Sequence, residues 1–357
     1  MRIIHCSDIH LDSKMEANLS AEQAKERNAE ICGTFARMTD YAEAHQVDAV
    51  LIAGDLFDSR RASAQTAGFV LDRIRRAEHV QFFCLRGNHD EDADPFAGME
   101  IPANLKTFGS TWTYYHYGEV TIAGLELDRE NWSGMYDNLR LEAGRTNIVM
   151  LHGQVSTQPG EEQIALPLLK NKNIRYLALG HLHAYQKERL DLDGEYCYCG
   201  CLEGRGFDEC GEKGFVLLNV SGGKLETEFV PFAARTLYDV PVDITGLTTV
   251  TQIQGAMDQA AAGISGDALV KFTLTGAYTL ETQKDLRFLR KGMEHRFWFV
   301  KVKDESRFKI EKETYEHDVS LKGEFIRLVM ASDKSEAEKA QIICCGIQAL
   351  SGEEVIL

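Results

Sequence analysis

The 357-residue chain has no run of about 18 consecutive apolar residues, which excludes a membrane-spanning helix of ordinary length. Its opening, MRIIHCSD, carries a charge at position 2 and no long apolar stretch, so no secretory leader is expected. Basic residues are in deficit: 39 Lys and Arg face 55 Asp and Glu, a formal net charge of −16. Most of such a surface repels nucleic acid, so a nucleic-acid partner requires a local basic patch or bound cations. Only six prolines occur, with no low-complexity linker and no internal repeat, so domain boundaries must come from pattern. Hydrophobic content of 44% and charged content of 26% are those of a soluble globular protein with room for two domains. Nine cysteines, an odd count outside a secretory context, predict reduced thiols in the cytoplasm.

The first two-thirds of the chain alternates short apolar runs with helical stretches. The runs are RIIHC (2–6), DAVLIAG (48–54), VQFFCLRG (80–87), NIVMLHG (147–153) and IRYLALG (174–180), with helical segments near 20–45 and 62–78. Near-continuous apolar runs predict strands buried on both faces and covered by helices, hence an α/β core. Hairpins are expected over 110–127 and over 186–201, the second turning at Asp193-Gly194. From about 234 the pattern restarts as strand 236–243, helix 249–262, strand 267–275, helix 281–291 and strand 296–303, a small α/β unit. The tail, 318–357, holds two helical patterns. One places Leu321, Phe325, Leu328 and Val329 on a stripe; the other follows a Ser335–Glu338 capping box. Two readings of the tail stay open, a hairpin packed on the preceding unit or a docking surface. The alternating Cys197, Cys199 and Cys201 read as buried thiols on one strand face, since thiolate zinc sites usually pair two such knuckles and no second is present.

Chemistry gathers where each apolar run stops. Asp8 and His10 follow the first, Asp55 and Asp58 the second, Asn88, His89 and Asp90 the third, His152 ends the fourth, and His181 and His183 follow the fifth. In extended chain, residues i and i+2 point the same way, so both rings of a His-x-His pair converge on one point. In α/β sheets the crevice beyond the carboxyl ends of the strands is where ligands bind. Asp8, His10, Asp55, Asn88, His152, His181 and His183 are seven metal-type side chains. A single cation rarely takes seven unless it is calcium, which avoids imidazole. Two ions about 3.5–4 Å apart use them well. The nitrogen content favours manganese, iron or zinc over magnesium alone.

The order D-x-H, G-D-x-x-D, G-N-H-D, H, G-H-x-H across residues 8 to 183 resembles the calcineurin-like metallophosphoesterases. More narrowly, HCSDIHLDS (5–13) and GDLFDSR (54–60) look like the SbcD-type DNA repair exonucleases, and GRGFDECGEKGF (204–215) is similar to a loop of YhaO-type members. The resemblance implies an α/β fold in which a β-sandwich core is flanked by helices, an αββα architecture. Residues 1–233 would form this catalytic domain, 234–312 a small α/β capping domain and 313–357 a C-terminal helical hairpin. It further implies that one metal takes Asp8, His10 and His183, the other Asn88, His152 and His181, with Asp55 bridging. His89 then faces the scissile phosphate, Asp90 orients it, and Asp58 stands behind the ligands. The implied reaction is phosphodiester hydrolysis by a hydroxide held between the ions. The chain departs from the family pattern at Arg86 and at Cys199-Gly200-Cys201, where a Pro-Gly-Ser turn is usual.

The substrate is not read from the fold. Between 284 and 303, Lys284, Arg287, Arg290, Lys291, Arg296, Lys301 and Lys303 face only Asp285 and Glu294, a local reversal of sign around Phe297, Trp298 and Phe299. This is either a patch for a phosphate backbone, with Arg287, Arg290 and Lys291 as contacts, or a solvated helix followed by a core strand. Three functions follow: a metal-dependent DNA exo- or endonuclease, a small-molecule phosphodiesterase or phosphatase, and a non-catalytic binding protein. The nuclease reading brings DNA ends as substrate, an SbcC-type ATPase as partner and a homodimer.

Overall fold

The computed structural model describes residues 1–15, 19–58, 62–87, 95–310 and 315–350. Two compact units divide the chain, Met1–Thr236 and Leu237–Leu357.

The first unit is built on two six-stranded sheets. One contains β1 (Arg2–Cys6), β2 (Ala49–Ala53), β3 (Gln81–Leu85) and β4 (Leu105–Thr107), all parallel, extended past β1 by the antiparallel β11 (Gly214–Ser221) and β12 (Lys224–Pro231). The other runs in the order β9 (Gln186–Arg189), β10 (Glu195–Tyr198), β8 (Tyr176–Gly180), β7 (Thr146–His152), β6 (Val120–Gly124), β5 (Thr113–Tyr117). Both expected hairpins form, β5 against β6 and β9 against β10.

Alternation along the strands explains why two sheets stack. Ile3, Leu51 and Phe83 point one way and meet Ile122, Ile148, Met150 and Tyr176 of the second sheet. Their neighbours Ile4, Val50 and Phe82 point the other way, under Ile31 and Phe35 of α1 (Ala21–Ala44) and Val70 and Ile74 of α2 (Ala64–Arg76). Val149, Leu151, Leu177 and Leu179 form the outer face of the second sheet, beneath Met135, Tyr136 and Leu169 of two short helical turns. Each such fully buried side chain is worth about 1.5–3 kcal/mol, and the parallel strands stay apolar on both faces for this reason. The helices begin where their caps dictate: Ser20 and Gln23 form a reciprocal capping box for α1, and Ser63 caps α2. The architecture is thus a β-sandwich flanked by helices.

The second unit carries three parallel strands, β13 (Leu237–Asp243), β14 (Leu269–Thr275) and β15 (Phe299–Asp304), crossed by α3 (Val250–Ala260) and α4 (Leu286–Glu294). Ile253, Met257, Phe272, Leu289 and Met293 fill its core. The tail forms α5 (Leu321–Met330) and α6 (Glu336–Leu350), and the Ser335–Glu338 box is present. The stripe expected on α5 is corrected. Ile326 is the buried apolar side chain, with Phe325, Val329 and Met330 beside it, whereas Leu321 and Leu328 are 71% and 65% exposed. The helix carries more apolar residues than one face can cover, so periodicity alone chose the wrong centre. Among the described residues no helix is long and apolar enough to cross a membrane.

Candidate metal centre

The carboxyl ends of β1, β2, β7 and β8 meet at one edge of the sandwich. Turns beyond β1 and β2 hold each other there: the Asp8 and His10 amides donate to the carbonyls of Gly54 and Asp55, at 3.1 and 3.0 Å. Asp8, His10 and Asp55 sit at φ of 50°, 50° and 49°, and His181 at 108°. L residues adopt such backbone at a cost of order 1–3 kcal/mol, which persists only where surrounding structure enforces it. Four of the expected ligands carry this strain, on sharp turns that swing side chains into the cleft. Glycine is required where the turns touch. A Cβ at Gly54 would strike the His152 ring, and one at Gly87 would strike the Asp55 carboxylate.

The side chains converge as two groups of potential ligands that share Asp8: Asp8 with His10 and His183, and Asp8 with Asp55 and His152. His10 Nε2 lies 3.1 Å from His183 Nε2, and these nitrogens stand 4.0 and 3.6 Å from Asp8 Oδ1. Tetrahedral ligands about 2.0–2.1 Å from a cation are separated by about 3.4 Å, so the triangle is one that a metal ion spans. Asp55 Oδ2 stands 3.9 Å from His10 Nε2 and 3.5 Å from His152 Nε2, facing both groups. The His181 amide donates to both Asp8 oxygens at 3.1 Å, and its ring lies edge-on to His152 at 5.5 Å. Asn88, His89 and Asp90 lie outside the described residues. Asp8 and Asp55 are only 1% and 2% exposed. Two carboxylates buried side by side call for positive charge, and carboxylates with imidazoles suit a borderline divalent cation. The residues therefore fit the metals that the family pattern implies.

The electrostatics agree with this. Burial opposes charge on His152, but the Asp55 hydrogen bond, the charges of Asp55 and Asp8 and the Ala53 carbonyl outweigh it, raising the ring to about 9. Burial likewise opposes charge on His183, and its bond to Glu209 and the charge of Asp8 raise it. His181 is lowered, first by burial and then by the neighbouring His152. An anionic cleft that pulls protons onto its imidazoles is one that a cation can discharge.

Behind the imidazoles lie groups that motif reading missed. Glu209 accepts from His183 Nδ1 at 2.6 Å, and Arg205 donates to Glu209 at 2.9 Å and to Asp58 at 2.8 Å. Asp58 itself lies 3.1 Å from His10 Nδ1. Burial works against the Glu209 anion, yet His183 and Arg205 bring its carboxyl down to about 2. Ser7 donates to Asp8. The one sequence signal was the charged, glycine-rich stretch 204–215, singled out for its resemblance and not for these contacts. Arg86 makes an ordinary salt bridge, forking onto Glu126 at 2.9 and 2.6 Å. Cys197, Cys199 and Cys201 are buried; burial pushes the Cys197 thiol to about 12 and the other two well above the ordinary range, which disfavours the thiolate a metal or redox site needs. In the second unit, Arg287, Arg290 and Lys291 are exposed on α4, and Arg290 pairs with Glu294 at 3.1 Å. Lys284, Arg296 and Lys303 also pair, with Asp304, Asp258 and Glu305, so the local excess of positive charge is largely offset. Phe297 is a core residue.

Comparison with known proteins places this geometry. The sequence model of the calcineurin-like phosphoesterases matches residues 1–185, and the chain belongs to that family. It is 28% identical to the uncharacterized metallophosphoesterase YhaO of Bacillus subtilis (strain 168), over 71% of this chain and 65% of that protein. It is 26% identical to the DNA double-strand break repair protein Mre11 of Sulfurisphaera tokodaii, over 69% of this chain and 66% of that one. One component of the SbcCD nuclease of Escherichia coli (strain K12) is 25% identical over 64% of this chain and 67% of its own length. The chain spans 65% and 66% of the length of the first two of these relatives, and as little as 40% of other Mre11 proteins it matches.

Proposed function

We propose that this protein is a DNA nuclease that hydrolyses phosphodiester bonds at a centre of two divalent metal ions, with manganese as the native metal. The observation that carries the hydrolytic reading is the convergence of Asp8, His10, Asp55, His152 and His183, with Asp55 Oδ2 facing both His10 and His152. Asp8, His10 and His183 would hold one ion, and His152 and His181, with Asn88, the other; Asp55 would serve both. When bound, the ions neutralise the phosphodiester and lower the pKa of a water towards neutrality. The protein supplies the rest. Asp8 and Asp55 offset the cationic charge and fix its spacing. Asp58 and Glu209 orient the rings of His10 and His183. His89 donates a proton to the leaving alkoxide, and Asp90 orients His89, a contribution of typically ~10²–10⁴-fold.

DNA as substrate is supported by the names of the relatives, two of which are a break-repair protein and a nuclease component. Arg287, Arg290 and Lys291 are the proposed contacts to the phosphate backbone. An ATPase of the SbcC type is the proposed partner of the C-terminal helices, supported by the apolar side chains that α5 leaves exposed, and a homodimer is the proposed assembly.

A specific observation favours a second reading, a phosphodiesterase or phosphatase for small molecules. An open cleft of about 800 Å³ is lined by Glu126, Asp128, Glu130, Glu161 and Glu162 against Arg86 and Arg129. Glu161, Glu162 and Arg86 also border His152 and His181. An acidic approach repels a polyanion more than a small ester. Turnover of single-stranded DNA, a nitrophenyl phosphodiester and a nitrophenyl monoester, with manganese, zinc and magnesium in turn, decides between the two. The nuclease reading expects DNA to be cleaved with manganese; cleavage of the small esters alone would establish the second.

A further inference from the structure

The loop that follows Cys201 reaches back to the metal centre from a distance in sequence. Glu209 lies 26 residues beyond His183, and Arg205 lies 147 residues beyond Asp58. We propose that Arg205 and Glu209 are positioning residues that pre-set the His10–His183 half of the centre for a divalent cation, an inference that rests on the two-metal reading above.

The geometry is specific. Glu209 Oε1 accepts from His183 Nδ1 at 2.6 Å, which leaves Nε2 as the nitrogen with a lone pair, turned towards His10 and Asp8. The second Glu209 oxygen accepts from the Arg205 amide at 2.6 Å. The Arg205 guanidinium then spans two carboxylates, Glu209 at 2.9 Å and Asp58 at 2.8 Å. Asp58 completes the circuit at His10 Nδ1, 3.1 Å away. Two imidazoles of one group are therefore backed by carboxylates, and one cation locks both carboxylates in place. The His183 carbonyl is held as well: Lys213 donates to it at 2.7 Å and the Cys201 amide at 3.3 Å. Ring, tautomer and main chain of His183 are thus all set from residues 201–213. Partners of this kind fix ring orientation and raise the basicity of the ligand, and their loss typically weakens metal binding by ~10–100-fold. Arg205 is suited to the task because its planar fork meets two carboxylates at fixed angles, which a lysine ammonium does not.

The test is a titration of metal-free protein with Co²⁺, followed by its visible absorption, which reports ligand geometry at each ion. Wild type should take up two ions in two resolvable steps. Glu209→Gln keeps the shape and an acceptor but loses the charge; it should weaken one step ~10–100-fold and leave the other unchanged. Arg205→Lys, which keeps the charge and loses the fork, should weaken the same step by less and serves if the first variant fails to fold. His183→Ala should abolish that step, and Glu209→Gln added to it should then cost nothing further, because the two act as a unit. Unchanged steps in both Glu209→Gln and Arg205→Lys overturn the inference. So does equal weakening of both steps together with a lower unfolding temperature in chelator, which marks a general role in the fold. A wild type that binds no Co²⁺ overturns the two-metal reading itself, and the inference with it.

Discussion

The two halves of the centre use the same side chains and support them differently. In the half holding His10 and His183, each imidazole turns its outer nitrogen to a carboxylate, Asp58 or Glu209, and Arg205 joins the two. In the half holding His152, the outer nitrogen meets a neutral group, the Ala53 carbonyl, at 2.9 Å. A further imidazole shows what the same sheets do away from the cleft. His5 lies fully buried between them against the Tyr176 hydroxyl at 2.9 Å, and burial lowers it to about 3. Burial lowers an imidazole, as in His5, and nearby carboxylates raise it, Asp55 and Asp8 for His152 and Glu209 and Asp8 for His183. On the proposed reading, the His10–His183 half is expected to be the tighter site and the His152 half to depend more on Asp55.

Four experiments probe this asymmetry. The largest effect is expected from Asp55→Ala, which removes the carboxylate facing both halves. Uptake of both ions should fall and turnover drop below detection, as checked by metal analysis after gel filtration and by phosphodiesterase assay. Retention of both ions with normal turnover would show that Asp55 serves neither. Next, His89→Asn should leave both binding steps intact and lower turnover by ~10²–10⁴-fold; full activity would remove His89 from the reaction. Third, acid should empty the His152 half. In the metal-free centre this ring is raised to about 9, against burial and by the charges of Asp55 and Asp8. A cation must displace that proton, so affinity should rise with pH up to about 9, by about tenfold per unit for one proton. His183 is also raised and acts in the same direction, whereas His181 is lowered and contributes no proton at neutral pH. Calorimetry in two buffers of different ionisation enthalpy measures the released protons, and none released would contradict the account. The smallest effect belongs to the second unit. Reversing Arg287 and Arg290 to glutamate should flatten the salt dependence of DNA binding by about one unit of slope per lost phosphate contact. An unchanged slope would leave these residues as a solvated helix face.

How much of this could be read beforehand depends on whether the signal was local. The apolar runs ending in Asp8, Asp55, His152 and His181 are local, and parallel strands announce themselves because both faces are buried. Residues alone implied an α/β core; that it folds as two stacked sheets came from the family pattern, since alternation along β1 or β7 does not say which face meets another sheet. Glu209 and Arg205 were invisible as site residues because their partners are 22 to 147 residues away and follow no period. The basic stretch near 290 left a phosphate patch and a solvated helix both open because a sequence shows charges without partners; Asp304, Asp258 and Glu305 pair with Lys284, Arg296 and Lys303 in space. The tail misled for the opposite reason. Leu321 and Leu328 are as apolar as Ile326, and only the neighbours Tyr315 and Ile343 decide which of them turns inward.

The most direct measurement is equilibrium dialysis of the purified protein against Mn²⁺, with the bound metal counted per chain in wild type and in Asp8→Ala. The account predicts two ions per wild-type chain and, in the variant, loss of the ion assigned to Asp8, His10 and His183, with the other weakened because Asp8 also stands within the Asp55–His152 group. One ion or none in the wild type, or an Asp8→Ala protein that still binds two, would contradict it.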